Sequence, residues 1–265
     1  MRYWKGSITL SPTQDHPLLR QVLRSTFVTH RQLYDFMRLE YCTSSRHSFN
    51  NRVLRLVQHN YLVRDESPFK ADGPVYSISE IGALEVMGLG ECYTGPARRQ
   101  KDGTLSKTVY HALDLNEIHL ALKRSTLLTG WTSDTEIRSR NELGSRCYCK
   151  DYDAVVTVRA DGNERRFALE YERTPKTRKD YLRISSEIER EKLVDRFLYL
   201  ALSHDLLSFM MRAFAGSRRA IYFGLLKDFL DQLLDMPLRT AQPGATTTLR
   251  NVLQSGQACL PPRRV

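Results

Sequence analysis

Apolar positions recur at helical spacing three times within the first sixty residues of the chain. Pro17-Leu18-Leu19-Arg20-Gln21-Val22-Leu23 carries the first set, with Asp15 placed to cap its start. Phe27-Val28 leads to Thr29, the expected N-cap of a helix over 30–37 in which Leu33, Phe36 and Met37 share one face. Thr43-Ser44-Ser45 precedes a third helix, from 46 to about 60, with Phe49, Val53, Leu56 and Val57 as its buried stripe. The period then shortens to two: 61–64 and 74–78 alternate as strands around a loop containing Pro68, Asp72 and Gly73. A helix over about 79–89 closes this block.

A polar stretch with Gly90, Gly95, Pro96, Arg98, Arg99, Lys101 and Gly103 follows and reads as a linker. Beyond it, 111–122 repeats apolar residues at helical spacing, and Trp131 opens a run of strands. Residues 152–158 are rich in β-branched side chains, Asp161-Gly162-Asn163 is a hairpin turn, and 166–172 returns from it. One long amphipathic helical region, broken near 203–205, is expected over 178–214. A strand over 220–226 and a last helix over 227–234 come next, and the Pro/Gly/Thr-rich tail is expected to be loose. The fold class is thus α/β in the second part and α+β overall. The predicted division is a domain over 1–90, a linker over 91–105, a second domain over 106–235 and a basic, disordered tail over 236–265. No internal repeat is visible.

The 265 residues are 41% hydrophobic and 26% charged, a globular composition, with a formal charge of +10 and a pI near 9.5. No run approaches the roughly 20 apolar residues of a membrane helix. The opening MRYWKGSITLSPTQD lacks the apolar core of a signal peptide, and five scattered cysteines do not make a disulfide scaffold. The expectation is a soluble cytoplasmic protein with no membrane partner. Charge is uneven: residues 1–64 hold ten Lys/Arg against Asp15, Asp35 and Glu40, whereas 106–235 hold 22 basic and 20 acidic residues. A basic first part beside a neutral body points to a polyanion-binding module, with a solubilising surface as the alternative.

Helix, helix, helix, hairpin is the order of a winged helix-turn-helix. Its third helix would offer Arg46, His47, Asn50, Asn51, Arg52 and Arg55, with no carboxylate from Ser44 to His59. Arg and Asn make bidentate contacts with base edges in the major groove, so double-stranded DNA is the expected partner. A small helical domain that binds protein is the other reading.

In the strand over 166–172, Phe167, Leu169 and Tyr171 share one face and Ala168, Glu170 and Glu172 the other. Asp153 heads the partner strand across the turn. Three converging carboxylates repel unless protonated or bridged by a cation, and hard oxygen donors suit Mg²⁺ or Mn²⁺. Glu136 could supply a fourth, with Glu142 an equal candidate by position. The same acids also suit a solvated strand face paired with Arg166, Arg173 or Arg178. Cys147-Tyr148-Cys149 would need Cys42 or Cys92 to form a zinc site, and His119 could approach the acids or serve as a structural histidine. P-loop, Rossmann, G-x-S-x-G and H-E-x-x-H motifs do not occur.

Glu136, Asp153, Glu170 and Glu172 resemble the PD-(D/E)xK nuclease pattern: a helix Glu, an Asp opening one strand, and an acid-x-Lys on the next. The resemblance implies that Glu136, Asp153 and Glu170 bind Mg²⁺, which activates water for phosphodiester cleavage. Tyr152 stands where the pattern has Pro, and Glu172 where it has Lys; Lys176 could supply the missing positive charge or be a surface residue. The winged helix together with "HALDLNEIHLAL", the Trp131 neighbourhood, "YDAVV" and "FALEYERT" is similar to the replication-relaxation family over roughly residues 15–230. That family implies bacterial plasmid or mobile-element replication, relaxation or transfer. It leaves room for a homodimer and for partner proteins of a mobile-element system. The expected function is a metal-dependent DNA endonuclease, with Asp153, Glu170, Glu172 and Lys176 as catalytic residues. A non-catalytic DNA-binding regulator is the alternative, and a partner-binding adaptor a third.

Overall fold

The structure, a computed structural model, describes residues 8–41, 45–65, 73–91, 104–144, 147–160, 162–241 and 246–255. The fold is mixed α/β, in two compact units that divide between Asn116 and Glu117. Among the described residues no helix is long and apolar enough to cross a membrane.

The first unit runs α1 (Asp15–Ser25), β1 (Val28–Thr29), α2 (His30–Tyr41), α3 (Arg46–Gln58), β2 (Leu62–Asp65), β3 (Val75–Ile78), α4 (Glu80–Gly88) and the opening half of α5 (Thr104–Arg124). Its strands form an antiparallel sheet in the order β1-β3-β2. Thr29 caps α2 as expected: its Oγ1 accepts from Gln32 N at 3.1 Å, while Gln32 Oε1 accepts from Thr29 N at 3.2 Å. Ser45 caps α3 by accepting from Ser48 N; Thr43 and Ser44 lie outside the described residues. Leu18, Leu19 and Val22 of α1, Leu33 and Phe36 of α2, and Phe49, Val53 and Leu56 of α3 are buried. Gly82 lets α4 approach the chain before β2, since a Cβ there would stand 2.2 Å from the Tyr61 carbonyl oxygen.

Two expectations for this unit change. Asp15 does not cap α1, whose preceding residue is Gln14; it is fully buried and accepts from Ser11 N at 2.7 Å. The boundary also falls later than residue 105. Most of the expected linker, including Gly95, Pro96, Arg98, Arg99, Lys101 and Gly103, lies outside the described residues, but 104 and 105 already belong to α5. Gln32 Nε2 donates to Leu113 O at 2.8 Å and Asn116 Nδ2 to Phe27 O at 2.7 Å, while Val109 and Leu113 pack on Val75. These contacts keep α5 in the first unit as far as Asn116.

The second unit continues with β4 (Leu128–Ser133), α6 (Asp134–Leu143), β5 (Ala154–Ala160), β6 (Asn163–Glu172), α7 (Arg178–Arg190), β7 (Arg196–Ala201), α8 (His204–Ala213), β8 (Ala220–Leu225), α9 (Leu226–Gln232), β9 (Pro237–Thr240), β10 (Thr246–Thr248) and α10 (Leu249–Gln254). The described strands form one sheet, β10-β9-β8-β7-β6-β5-β4. The β6-β7 and β7-β8 pairs are parallel and the others antiparallel. In the β5-β6 hairpin Ala160 pairs with Asn163 and Gly162 has φ +79°; Asp161 is outside the described residues.

β7 corrects the expectation of one helical region over 178–214. All six of its residues are buried, as a central parallel strand covered on both faces must be. Such a strand has no period-two signal, and its apolar run reads equally well as part of a helix. The segment after Asp235 is a second correction, because β9, β10 and α10 replace the expected loose tail. Leu249, Val252 and Leu253 of α10 meet Phe167, Leu198 and Tyr222 on one face of the sheet. Arg165 Nε donates to Leu253 O at 2.9 Å and Arg196 Nη2 to Ser255 O at 2.8 Å. Residues 256–265, the basic end of that tail, lie outside the described residues. On the other face Ala168, Tyr199 and Ala201 pack with Tyr181, Ile184, Leu206 and Met210 of α7 and α8.

Candidate functional site

Strand alternation and register bring three of the expected carboxylates to one end of the larger sheet. Ala154 pairs with Leu169, so Asp153, one residue before β5, stands beside Glu170, and Asp153 Oδ2 accepts from Tyr171 N at 2.7 Å. Glu170 pairs with Tyr199 and Glu172 with Ala201 across the parallel β6-β7 ladder. Both glutamates therefore follow Ala168 on the face covered by α7 and α8, and they are only 2% and 4% exposed.

Two ammonium groups meet these acids. Lys150 Nζ donates to Glu170 Oε1, and Lys176 Nζ donates to Glu172 Oε1. Burial raises the Glu170 pKa to about 7; Lys150 opposes the shift and the Asp153 charge adds to it. Burial likewise pushes Glu172 up against the pull of Lys176. For Lys176, burial works against the charged form but the attraction of Glu172 and Glu170 outweighs it, so its pKa rises. Tyr199 Oη is buried beside this cluster with no hydrogen-bond partner among the described residues. Burial and the charges of Glu170 and Glu172 hold that phenol well above its ordinary pKa, so it stays a neutral hydroxyl.

Glu136 has another duty. Its Oε2 accepts from Ser133 N at 2.8 Å and Ser133 Oγ at 3.0 Å, forming the capping box of α6. Ser133 pairs with Ala154, so this box sits at the same end of the sheet as Asp153. Glu142 is exposed near the end of α6, and His119 stacks on Trp131 at 4.1 Å between ring centres. Tyr152, in the position of the pattern's Pro, donates to Glu191 Oε2 at 3.1 Å and lies under Lys150, whose Nζ is 5.2 Å from the ring centre. Cys147 and Cys149 are free and exposed, whereas Cys42 and Cys92 lie outside the described residues.

Among the described residues, no group of three or more His, Cys, Asp or Glu is spaced to hold a metal ion. Mg²⁺ needs fewer protein donors, commonly one or two carboxylates completed by water and substrate oxygens. Asp153 and Glu170 are two hard donors from adjacent strands, and the unpartnered Tyr199 hydroxyl lies on the same buried face. This donor set fits Mg²⁺ or Mn²⁺ in its chemistry.

Lys150 was not legible as a site residue. It stands three positions before Asp153 and reaches Glu170 only through the β5-β6 pairing, a relation that carries no local signal.

In the first unit α3 has two polar sides. Arg46, His47, Asn50 and Asn51 are exposed. Asn51 Nδ2 donates to His47 Nε2 at 3.0 Å, Asn50 Oδ1 lies 2.8 Å from His30 Nε2, and the Arg46 guanidinium sits 5.0 Å from the Tyr34 ring centre. A groove of about 410 Å³ beside them is lined by His30, Arg31, Arg46, Asn50, Arg64 and Tyr76. Arg52 and Arg55 turn the other way: Arg52 Nη1 donates to Asp15 Oδ1 at 3.1 Å and Arg55 Nη2 to Asp15 Oδ2 at 2.6 Å.

Fold and site together define a mixed α/β protein with a buried acid-lysine centre at one end of its larger sheet. No protein-family model matches the chain, and no curated protein or solved structure matches it.

Proposed function

We propose that this chain binds double-stranded DNA through α3 and cleaves or nicks a DNA strand at the Asp153-Glu170-Glu172 centre in a reaction dependent on Mg²⁺ or Mn²⁺. The observation that carries the reading is the pair of buried glutamates, each held by a lysine, on an otherwise apolar sheet face beside Asp153. Apolar residues at such positions are often as stable or more stable, so acids retained there point to chemistry rather than to packing. The three-helix and hairpin order of the first unit supports a winged helix, and the strand-borne acids support a PD-(D/E)xK type of nuclease domain.

Asp153 and Glu170 would hold the metal, which when bound supplies Lewis-acid polarisation of the phosphate and lowers the pKa of water. Glu172, oriented by Lys176, accepts the proton of the attacking water. The water oxygen forms a new bond to phosphorus as the bond to the leaving sugar oxygen breaks. The ammonium groups of Lys150 and Lys176 face the charge that grows on the phosphate oxygens. On α3, Arg46, His47, Asn50 and Asn51 are the side chains presented outward for base edges and phosphates.

The test is nicking of supercoiled plasmid in Mg²⁺ or Mn²⁺ by the wild type and by Glu170→Ala. Nicking lost in the variant supports the endonuclease, and equal nicking by both marks a contaminant. A second reading is favoured by one observation: each glutamate already has a lysine partner, so the centre is electrostatically satisfied by the chain itself. On that reading the protein is a non-catalytic DNA-binding regulator of plasmid or mobile-element replication, relaxation or transfer. DNA binding without nicking would select it.

A further inference from the structure

A cleft of about 680 Å³ opens at the C-terminal ends of the parallel strands β6 and β7. Its walls come from the loop that follows Glu172, from the start of α7, and from α8. Open sheets bind ligands at the carboxyl ends of parallel strands, where the connecting loops diverge. Arg173, Lys176, Arg178 and Arg212 line it against a single acid, Asp205, with Phe209 among them. Lys176 also holds Glu172, so one wall of the cleft is part of the acid-lysine centre.

We infer that this cleft carries an unpaired DNA strand to the centre, with phosphates on Arg178, Arg212 and Arg173 and a base stacked on Phe209. The inference rests on the DNA-cleaving reading and adds the strand state of the substrate. Three features support it. The cleft is strongly cationic, as a path for phosphates must be. Phe209 is half-buried, and its ring is braced edge-on by Tyr181 at 5.7 Å, so it presents a fixed aromatic surface. Arg212 lies three residues beyond Phe209 on α8 and shares its face, which places a cation beside the ring at helical spacing. An intact duplex keeps its base faces stacked inside the helix. An aromatic set among cations is instead the arrangement that binds single strands, where each base has a free face.

The test uses the full chain in EDTA, so that binding is read apart from cleavage, with a short fluorescent oligo-dT as probe and anisotropy as readout. The Arg178→Ala/Arg212→Ala double variant should bind at least about tenfold more weakly. Its salt dependence should be shallower by about 1.4 in log-log slope, the share of two phosphate contacts on a single strand. Phe209→Leu should weaken binding about fivefold or more with the salt slope unchanged, because stacking releases no counterions. Arg159→Ala, an exposed arginine paired with Glu164 near the turn of the β5-β6 hairpin, should leave oligo-dT binding unchanged. The inference is overturned if the wild type does not bind oligo-dT at low salt, or if the double variant binds as well as the wild type. Loss of oligo-dT binding in Arg159→Ala as large as in the double variant would also overturn it. A chain that binds oligo-dT in this way but never nicks plasmid keeps the cleft and loses the nuclease; a chain that nicks but ignores oligo-dT does the reverse.

Discussion

Asp15 holds Arg55 at 2.6 Å and, through its other oxygen, Arg52 at 3.1 Å. One fully buried carboxylate at the start of α1 thus ties down two arginines spaced three apart along α3. The arginines point toward α1, while the exposed residues Arg46, His47, Asn50 and Asn51 remain for the outside.

Asp15→Ala should destabilise the first unit by roughly 2–3 kcal/mol. Removing one partner of a fully buried pair costs about 3–5 kcal/mol, and the partial exposure of both arginines reduces that figure. A lowered urea midpoint checks it; an unchanged midpoint would mean the two arginines contribute nothing to holding α3.

DNA binding should separate the two sides of α3. Arg46→Ala should weaken binding to duplex DNA and reduce the salt slope by about 0.9, as expected for one lost phosphate contact. Arg52→Ala should act first on thermal stability, because its guanidinium is engaged with Asp15. Titrations at several salt concentrations, paired with melting curves, distinguish the outcomes. Equal loss of salt slope in both variants would place Arg52 on the DNA.

Stability should fall as pH rises from about 4.5 to about 7 in the presence of chelator. Glu170 has an ordinary value of 4.5 in the unfolded chain and about 7 in the folded one, so across that window the folded state binds the extra proton. Stability therefore declines with pH, by up to about 3 kcal/mol from this group. Burial moves Glu172 in the same direction. Denaturant midpoints at pH 5 and pH 8 should show the decline, and Glu170→Gln should flatten it. A midpoint that rises with pH and is unaltered by the substitution would contradict this account.

Glu191→Ala should be among the more damaging substitutions in the second unit. This buried carboxylate accepts from Cys149 N at 2.9 Å, Tyr152 Oη at 3.1 Å, Lys192 N at 2.9 Å and Leu193 N at 2.7 Å. Orphaning those donors should cost about 3 kcal/mol, visible as an earlier calorimetric melt.

If the chain nicks DNA, Lys150→Ala should slow it by about a hundredfold or more, in the range seen when a preorganised charge is removed from a reacting site. Lys176→Ala should cost less, because Lys176 is more exposed than Lys150 and its charge is better screened. Single-turnover rates give the order, and a reversed order would make Lys176 the principal cation.

Elements with a local signature were legible from the residues alone. Helices α1 to α4 and the β2-β3 hairpin follow from apolar spacing, Thr29 caps α2 as its position predicts, and the alternation in β6 alone places Glu170 and Glu172 on one face. β7 was not legible, since a strand buried on both faces loses the alternation that marks strands. The segment after Asp235 was not legible either. Its Leu249, Val252 and Leu253 are buried only because β6, β7 and β8 offer an apolar face to cover.

By itself, then, the sequence determined the α/β class, the basic first part, the α3 helix and the strand-borne acids, because periodicity and composition act over a few neighbouring residues. Only the tertiary structure decided that Lys150 reaches Glu170 and that Arg52 and Arg55 turn to Asp15, whereas the Glu136 cap is a local Ser-x-x-Glu box over 133–136. Side-chain partners at the first two sites come from segments 20 to 40 positions apart in the chain. Contacts of these kinds depend on strand register and helix packing, which no local pattern of residues encodes.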